Sequence, residues 1–133
     1  MAILVDSTVL IDLERQGQAL ESLEGSSQGE PIALAAITIS ELLVGAHRAE
    51  TIERRLRREE FVDKVLALFE VFPFDIQTAR IHSEIAARLM SAGQTVGAHD
   101  LIIAATAIAN GYAVLTHNLR DFQRIPGLEI RQA

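Results

Sequence analysis

The sequence contains no cysteine. That absence excludes a disulfide framework, a zinc ribbon and a cysteine nucleophile together, and folding needs no oxidising compartment. Aromatic residues make up only 5% of the chain, so platforms for stacking bases are scarce. Positive charge is also short: 12 Lys+Arg stand against 18 Asp+Glu, a formal net charge of −6. Such a balance disfavours non-specific duplex binding, which depends on clustered cations. It leaves a nuclease open, because an acidic metal centre itself supplies negative charge. The longest apolar run is Leu101–Ala109, interrupted by Thr106, a length that suits a buried helix and not a membrane span. Met1-Ala2-Ile3-Leu4-Val5-Asp6 has no basic stretch and meets an acid too early for a signal peptide. A cytoplasmic protein with no membrane association is expected.

What is present is a chain of 133 residues, 49% hydrophobic, without repeats or low-complexity tracts. The length predicts a single domain over residues 1–133. A chain of this size buries about two-thirds of its unfolded surface, enough for a core without staples.

Short apolar runs alternate with helical patterns. Ala2-Ile3-Leu4-Val5 reads as a central strand buried on both faces, followed by one or two helical turns through Val9, Leu10 and Leu13. Glu24–Pro31 is the plainest loop, and Ile32–Ala36 reads as a second strand. Thr38-Ile39-Ser40-Glu41 has the form of a capping box opening a helix, and a charged helical stretch runs from about Thr51 to Leu68. Phe69–Phe74 predicts a third strand, its proline pointing to an edge. Ile81, Ile85, Ala86, Leu89 and Met90 recur at helical spacing, and Gly93 ends that helix. Asp100 begins an apolar helix closed by Asn110-Gly111; Tyr112–Leu115 is a fourth strand and Leu128–Ile130 a weak fifth. Strands alternating with helices imply an α/β fold, a parallel sheet covered by helices on both faces.

In such sheets ligands bind beyond the carboxyl ends of the strands. Asp6 follows the first strand directly, Glu41 lies shortly after the second, and Asn118 and Asp121 follow the fourth. Asp100 joins them if its helix runs antiparallel to the strands. Singly, Asp6, Asp100 and Asn118 are explained as helix N-caps, and Glu41 as the reciprocal arm of its capping box. Together they imply more. Two carboxylates about 5 Å apart repel by roughly 3 kcal/mol at an effective dielectric near 20, so a fold that gathers several raises their pKa values or binds a cation. Oxygen-only donors select a hard ion, Mg²⁺ or Mn²⁺, which acts on phosphate esters.

Leu4-Val5-Asp6-Ser7-Thr8, Ile39-Ser40-Glu41-Leu42-Leu43-Val44-Gly45, His99-Asp100-Leu101-Ile102-Ile103-Ala104-Ala105 and Leu115-Thr116-His117-Asn118-Leu119-Arg120-Asp121-Phe122 follow one another in order. This layout resembles the PIN-domain ribonucleases of the VapC toxin type over nearly the whole chain. The resemblance implies a three-layer α/β/α sandwich with a five-stranded parallel sheet, and a metal-dependent endoribonuclease leaving a 5′-phosphate and a 3′-hydroxyl. It assigns Asp6, Glu41 and Asp100 to Mg²⁺ or Mn²⁺. Many members carry Asp where this chain has Asn118, so the fourth position falls to Asn118 or Asp121, and Asp121 is preferred because it carries charge. Thr8 and Thr116 are expected to orient ligands or substrate. The expected partners are an RNA substrate, a cognate VapB-type antitoxin and a second copy in a homodimer. The antitoxin is expected to lay a helix against the helices from Thr38 and Gln77 and to place a cation near Asp6 and Asp100. Other readings are a different metal-dependent phosphoesterase or an inactive PIN-like binding module.

No serine–histidine–acid set or phosphate-cradling glycine loop stands out. His47 and His82 fall among helical residues, whereas His99 and His117 adjoin the candidate site. Arg54, Arg55, Arg57 and Arg58 form the one basic cluster. They read either as a solvated face balanced by Glu50, Glu53, Glu59 and Glu60, or as contacts to RNA phosphate.

Overall fold

The computed structural model describes all 133 residues. Five strands, β1 (Ile3–Val5), β2 (Ile32–Ala35), β3 (Glu70–Phe72), β4 (Ala113–Thr116) and β5 (Ile130–Gln132), form one sheet in the order β3-β2-β1-β4-β5. Every pairing is parallel. The helices are α1 (Ser7–Gln16), α2 (Leu23–Ser27), α3 (Ala36–His47), α4 (Ile52–Leu68), α5 (Ile76–Ser91), α6 (Ala98–Asn110) and α7 (Leu119–Phe122), with a 3₁₀ turn at Leu20–Ser22. No helix is long and apolar enough to cross a membrane.

The expected α/β/α sandwich follows from how β1 is written. Successive side chains of a strand point to opposite faces. Ile3 and Val5 join Leu10, Leu34, Leu42, Val65 and Leu115 beneath α1, α3 and α4. Leu4 enters the opposite cluster with Ile85, Ile103, Ala104, Val114 and Phe122 beneath α5, α6 and α7. All three β1 side chains are fully buried, each burial contributing roughly 1.5–3 kcal/mol before entropy is counted. A strand packed on both faces needs apolar residues at every position, which is why the run is unbroken.

Several boundaries differ from the sequence reading. The capping box at Thr38 does not form: α3 begins at Ala36, directly from β2, and Ala35 at the strand end occupies the N-cap position. Thr38 is instead fully buried, and its hydroxyl has no hydrogen-bond partner. The first helix runs for ten residues, and the stretch expected to be loop from Glu24 is helical as far as Ser27. The last strand lies at Ile130–Gln132, two residues later than expected. The edge position of β3 agrees with its flanking proline. Gly111, at φ 73°, takes the left-handed turn that closes α6 and reverses the chain into β4.

This topology positions the candidate site. The central strands β2, β1 and β4 are neighbours and parallel, so whatever follows each of them emerges at one rim. The crossover helix α6 begins at that same rim, since Asn118, just past β4, reaches Asp100 in the first turn of α6 at 3.2 Å.

Candidate active site

Asp6 emerges from β1 almost wholly buried, with 1% of its surface exposed. It occupies the N-cap position of α1, yet its side chain makes no capping hydrogen bond. Two hydroxyls hold it instead: Thr8 Oγ1 and Thr116 Oγ1 each donate to Asp6 Oδ2 at 2.8 Å. Thr116 is the last residue of β4, so this contact crosses from strand to strand. Its oxygen also accepts the Asn118 backbone N–H at 2.8 Å, which fixes the loop after β4.

Asn118 is at the N-cap position of α7 and makes no side-chain cap either. Its Nδ2 donates to Asp100 Oδ2 at 3.2 Å and to Asp121 Oδ2 at 3.1 Å. Asp100 is the third residue of α6, whose N-cap position belongs to Gly97. The capping explanation of these residues is therefore not what the geometry shows. Asn118 stands between two carboxylates as their shared donor.

Glu41 approaches from the second turn of α3, beyond the first-turn position the sequence reading gave it. Its Oε1 is buried without any hydrogen-bond partner, and its Oε2 lies 3.6 Å from His99 Nδ1. Burial raises the Glu41 pKa; His99 pulls it back, and the charge of Asp6 pushes it up again. Asp100 is pushed up to about 6, first by burial and then by the negative charges of Asp6, Asp121 and Glu41. The four acids thus share one electrostatic environment, although they come from four separate chain segments.

The donors fit a hard divalent cation. All are carboxylate oxygens, and one of them, Glu41 Oε1, is buried and unsatisfied, an arrangement that is destabilising by about 1–3 kcal/mol unless something polar meets it. As they stand, no three of the acids are close enough to hold one ion. Raised carboxyl pKa values in a cleft are also what a site prepared for a cation displays.

Two neighbours escaped the sequence reading. Asp12, one turn beyond Thr8 on α1, lies 3.5 Å from His117 Nε2 and extends the acidic rim outward. Arg15 follows it on the same exposed side of α1 and lines a groove with Glu41. The helical spacing Thr8–Asp12–Arg15 was the available signal, since it carries the face of α1 that starts at the site. Of the four arginines on α4, Arg55 pairs with Glu59 at 2.9 Å, as a solvated face predicts, while Arg58 lines the groove beside Glu41.

A family model described as the PIN domain matches residues 3–128. The chain belongs to the PIN-domain family. Among curated relatives, ribonuclease VapC1 of Rickettsia felis is 35% identical over 130 residues, spanning 98% of this chain and 95% of the relative. The tRNA(fMet)-specific endonuclease VapC of Salmonella typhimurium is 37% identical over 99 residues, 74% of this chain and 73% of that protein. Among solved structures, DNA-bound VapBC from Salmonella typhimurium matches with a TM-score of 0.87 at 28% identity, covering 99% of this chain and 98% of that one.

Proposed function

We propose that this PIN-domain protein is a metal-dependent endoribonuclease, the toxin of a toxin–antitoxin pair, with its chemistry at the carboxyl rim of the sheet. The observation that carries this reading is the grouping of Asp6, Glu41, Asp100 and Asp121 into one electrostatic environment. Asp6, Glu41, Asp100 and Asp121 would hold Mg²⁺ or Mn²⁺. A bound divalent cation supplies the charge that draws in a phosphodiester, offsets its developing negative charge and makes water a better nucleophile at neutral pH.

The remaining work is done by the chain. Thr8 and Thr116 fix Asp6 Oδ2, leaving Oδ1 free of donors from the chain. Asn118 keeps Asp100 and Asp121 together against their repulsion. The Glu41 Oε1 oxygen, with no internal partner, is free to serve the site. In-line hydrolysis would leave a 5′-phosphate and a 3′-hydroxyl. A structured RNA is the proposed substrate, in keeping with the tRNA-specific Salmonella relative.

The proposed protein partners are a VapB-type antitoxin, because the Salmonella structure is a VapBC complex, and a second copy of the chain. Both draw on apolar side chains left exposed on α3 to α5, including Val44, Leu56, Ile76 and Met90. An antitoxin arginine or lysine placed against Asp6 and Asp100 would compete with both metal and substrate phosphate; the fork of an arginine bridges two carboxylates.

Cleavage of structured RNA in Mg²⁺ or Mn²⁺, with and without chelator, tests the proposal. Metal-dependent cleavage that Asp6→Asn abolishes supports it. Chelator-insensitive cleavage, or turnover of small phosphate esters but no RNA, refutes it.

A further inference from the structure

Four arginines with unequal partners crowd the first turns of α4. Arg55 is committed to Glu59 at 2.9 Å, and Arg54 only reaches Glu50 at 3.8 Å. Arg58 donates Nη1 to the Gly45 carbonyl at 2.8 Å, which ties α4 to α3 and aims the guanidinium into the space between them. Arg57 forms no ion pair, nor does Arg15, which faces α4 from the end of α1. Arg15, Arg54, Arg57 and Arg58 line a pocket whose only other wall residue is Glu14, with no apolar side chain among them. Helical spacing explains the division, since 54, 57 and 58 share a face of α4 that 55 does not.

The pocket is not isolated. Glu14, Arg15 and Arg58 also line a groove of about 120 Å³ that reaches Glu41. Shared lining residues therefore join the groove at Glu41 to a cluster of four guanidiniums in which Glu14 is the one carboxylate of the wall. In a chain of net charge −6 that concentration of cations is a local reversal. All four are arginine, whose rigid fork and weak hydration suit phosphate oxygens better than lysine does.

We infer that Arg15, Arg54, Arg57 and Arg58 form a phosphate subsite that holds the RNA backbone one or more nucleotides away from the scissile bond. The inference rests on the nuclease reading for the identity of the polyanion. The groove decides for RNA over an acidic peptide, because it runs into the centre where a phosphodiester has to lie. Arg58 shapes the wall; Arg15 and Arg57 supply donors held by no ion pair, and Arg54 adds a guanidinium only loosely paired to Glu50. Glu14 sits among them as a repulsive element that keeps the site from holding phosphate too tightly.

Binding of a fluorescently labelled single-stranded RNA in chelator, followed by anisotropy across a salt series, separates this subsite from the chemistry. Arg57→Gln and Arg15→Gln are expected to weaken binding several-fold each and to flatten the slope of log affinity against log salt by about 0.7 for each phosphate left without its arginine. Arg55→Gln removes the same charge from the same helix but lines neither pocket nor groove, and is expected to change little. Glu14→Gln is expected to tighten binding, an effect that lost folding would not produce. With metal present, the Arg57 and Arg15 variants should raise KM for long RNA and leave kcat unchanged. Equal losses in the Arg55 and Arg57 variants overturn the subsite, because the effect is then net charge alone. So does an unchanged RNA affinity accompanied by lost inhibition by an antitoxin, which would assign the arginines to that partner. If arginine-dependent binding persists while the wild type cleaves no RNA, the nuclease reading fails and the subsite stands.

Discussion

Removing one negative charge from the rim should make the metal-free protein more heat-resistant. Asp100 keeps its proton up to about pH 6, against an ordinary value of 3.8, through burial and then through repulsion by Asp6, Asp121 and Glu41. Since the folded-state pKa is the higher one, ionisation of this group opposes folding. The opposition is absent below about pH 3.8, grows as pH rises, and is complete above about pH 6. Each unit of such a shift is about 1.4 kcal/mol, so the full effect approaches 3 kcal/mol. Asp100 is only half-buried, and solvent screening reduces this to about 1–2 kcal/mol. Asp100→Asn removes the charge while keeping an oxygen for Asn118 Nδ2. At neutral pH, in chelator, its melting temperature should exceed that of the wild type by about 3–6 °C. The two melting curves should converge as pH falls towards 4. Divalent cation should then reverse the ranking: at a hundred times its dissociation constant it adds about 2.7 kcal/mol to a protein that binds it, and the variant should gain little. A variant that melts several degrees below the wild type at neutral pH would refute the reasoning and return Asp100 to a structural role.

Thr116→Val removes the hydroxyl that donates to Asp6 and accepts from the Asn118 N–H; a loss of about 1–3 kcal/mol in denaturant unfolding is expected, with cleavage falling alongside, whereas Thr116→Ser should retain both. Asn118→Ala takes the shared donor from Asp100 and Asp121, so the Asp100 carboxyl should titrate above its present value of about 6 by NMR in the metal-free protein; an unchanged or lower value would sink the bridging role. Glu41→Gln should depress RNA cleavage by about a hundredfold or more and remove calorimetric binding of Mn²⁺ while leaving the fold intact; retained metal binding would exclude Glu41 from the ligand set.

The parts of the fold that were legible are those where local pattern and tertiary demand coincide. Ile3-Leu4-Val5 is apolar at every position because β1 is covered on both faces, and an unbroken run is what such a strand has to show. Asn110-Gly111 ends α6 because the chain must turn there through a left-handed conformation. The start of α3 was not legible, for a reason that can be named. Thr38 and Glu41 carry a capping signature, but β2 passes into α3 without a loop, so the strand's own last residue takes the N-cap position. Tertiary placement overrode a local signal. Thr38 was then drawn into the core, and Glu41 moved from an end-of-helix role to the second turn, where it faces the other acids.

The candidate site was legible as a list of strand ends and illegible as a set of contacts. Asp6, Glu41 and Asp121 could be named because a parallel sheet delivers whatever follows its central strands to one rim, and Asp100 because the helix it opens returns antiparallel to those strands. Their relations depend on separations that no spacing rule encodes: Thr116 meets Asp6 across 110 positions and Asn118 meets Asp100 across 18. The choice between Asn118 and Asp121 shows what those contacts add. Both follow β4, and sequence offers only the preference for a charged ligand. In the fold, Asn118 uses its amide hydrogens on the carboxylates either side of it, a task an aspartate at that position would turn into repulsion. Asp121 is thereby left with its own charge and held close to Asp100. The amide at 118 accordingly lowers the electrostatic strain of the rim without reducing its number of carboxylates, which is how four acids are accommodated in a fold with no lysine or arginine paired to them.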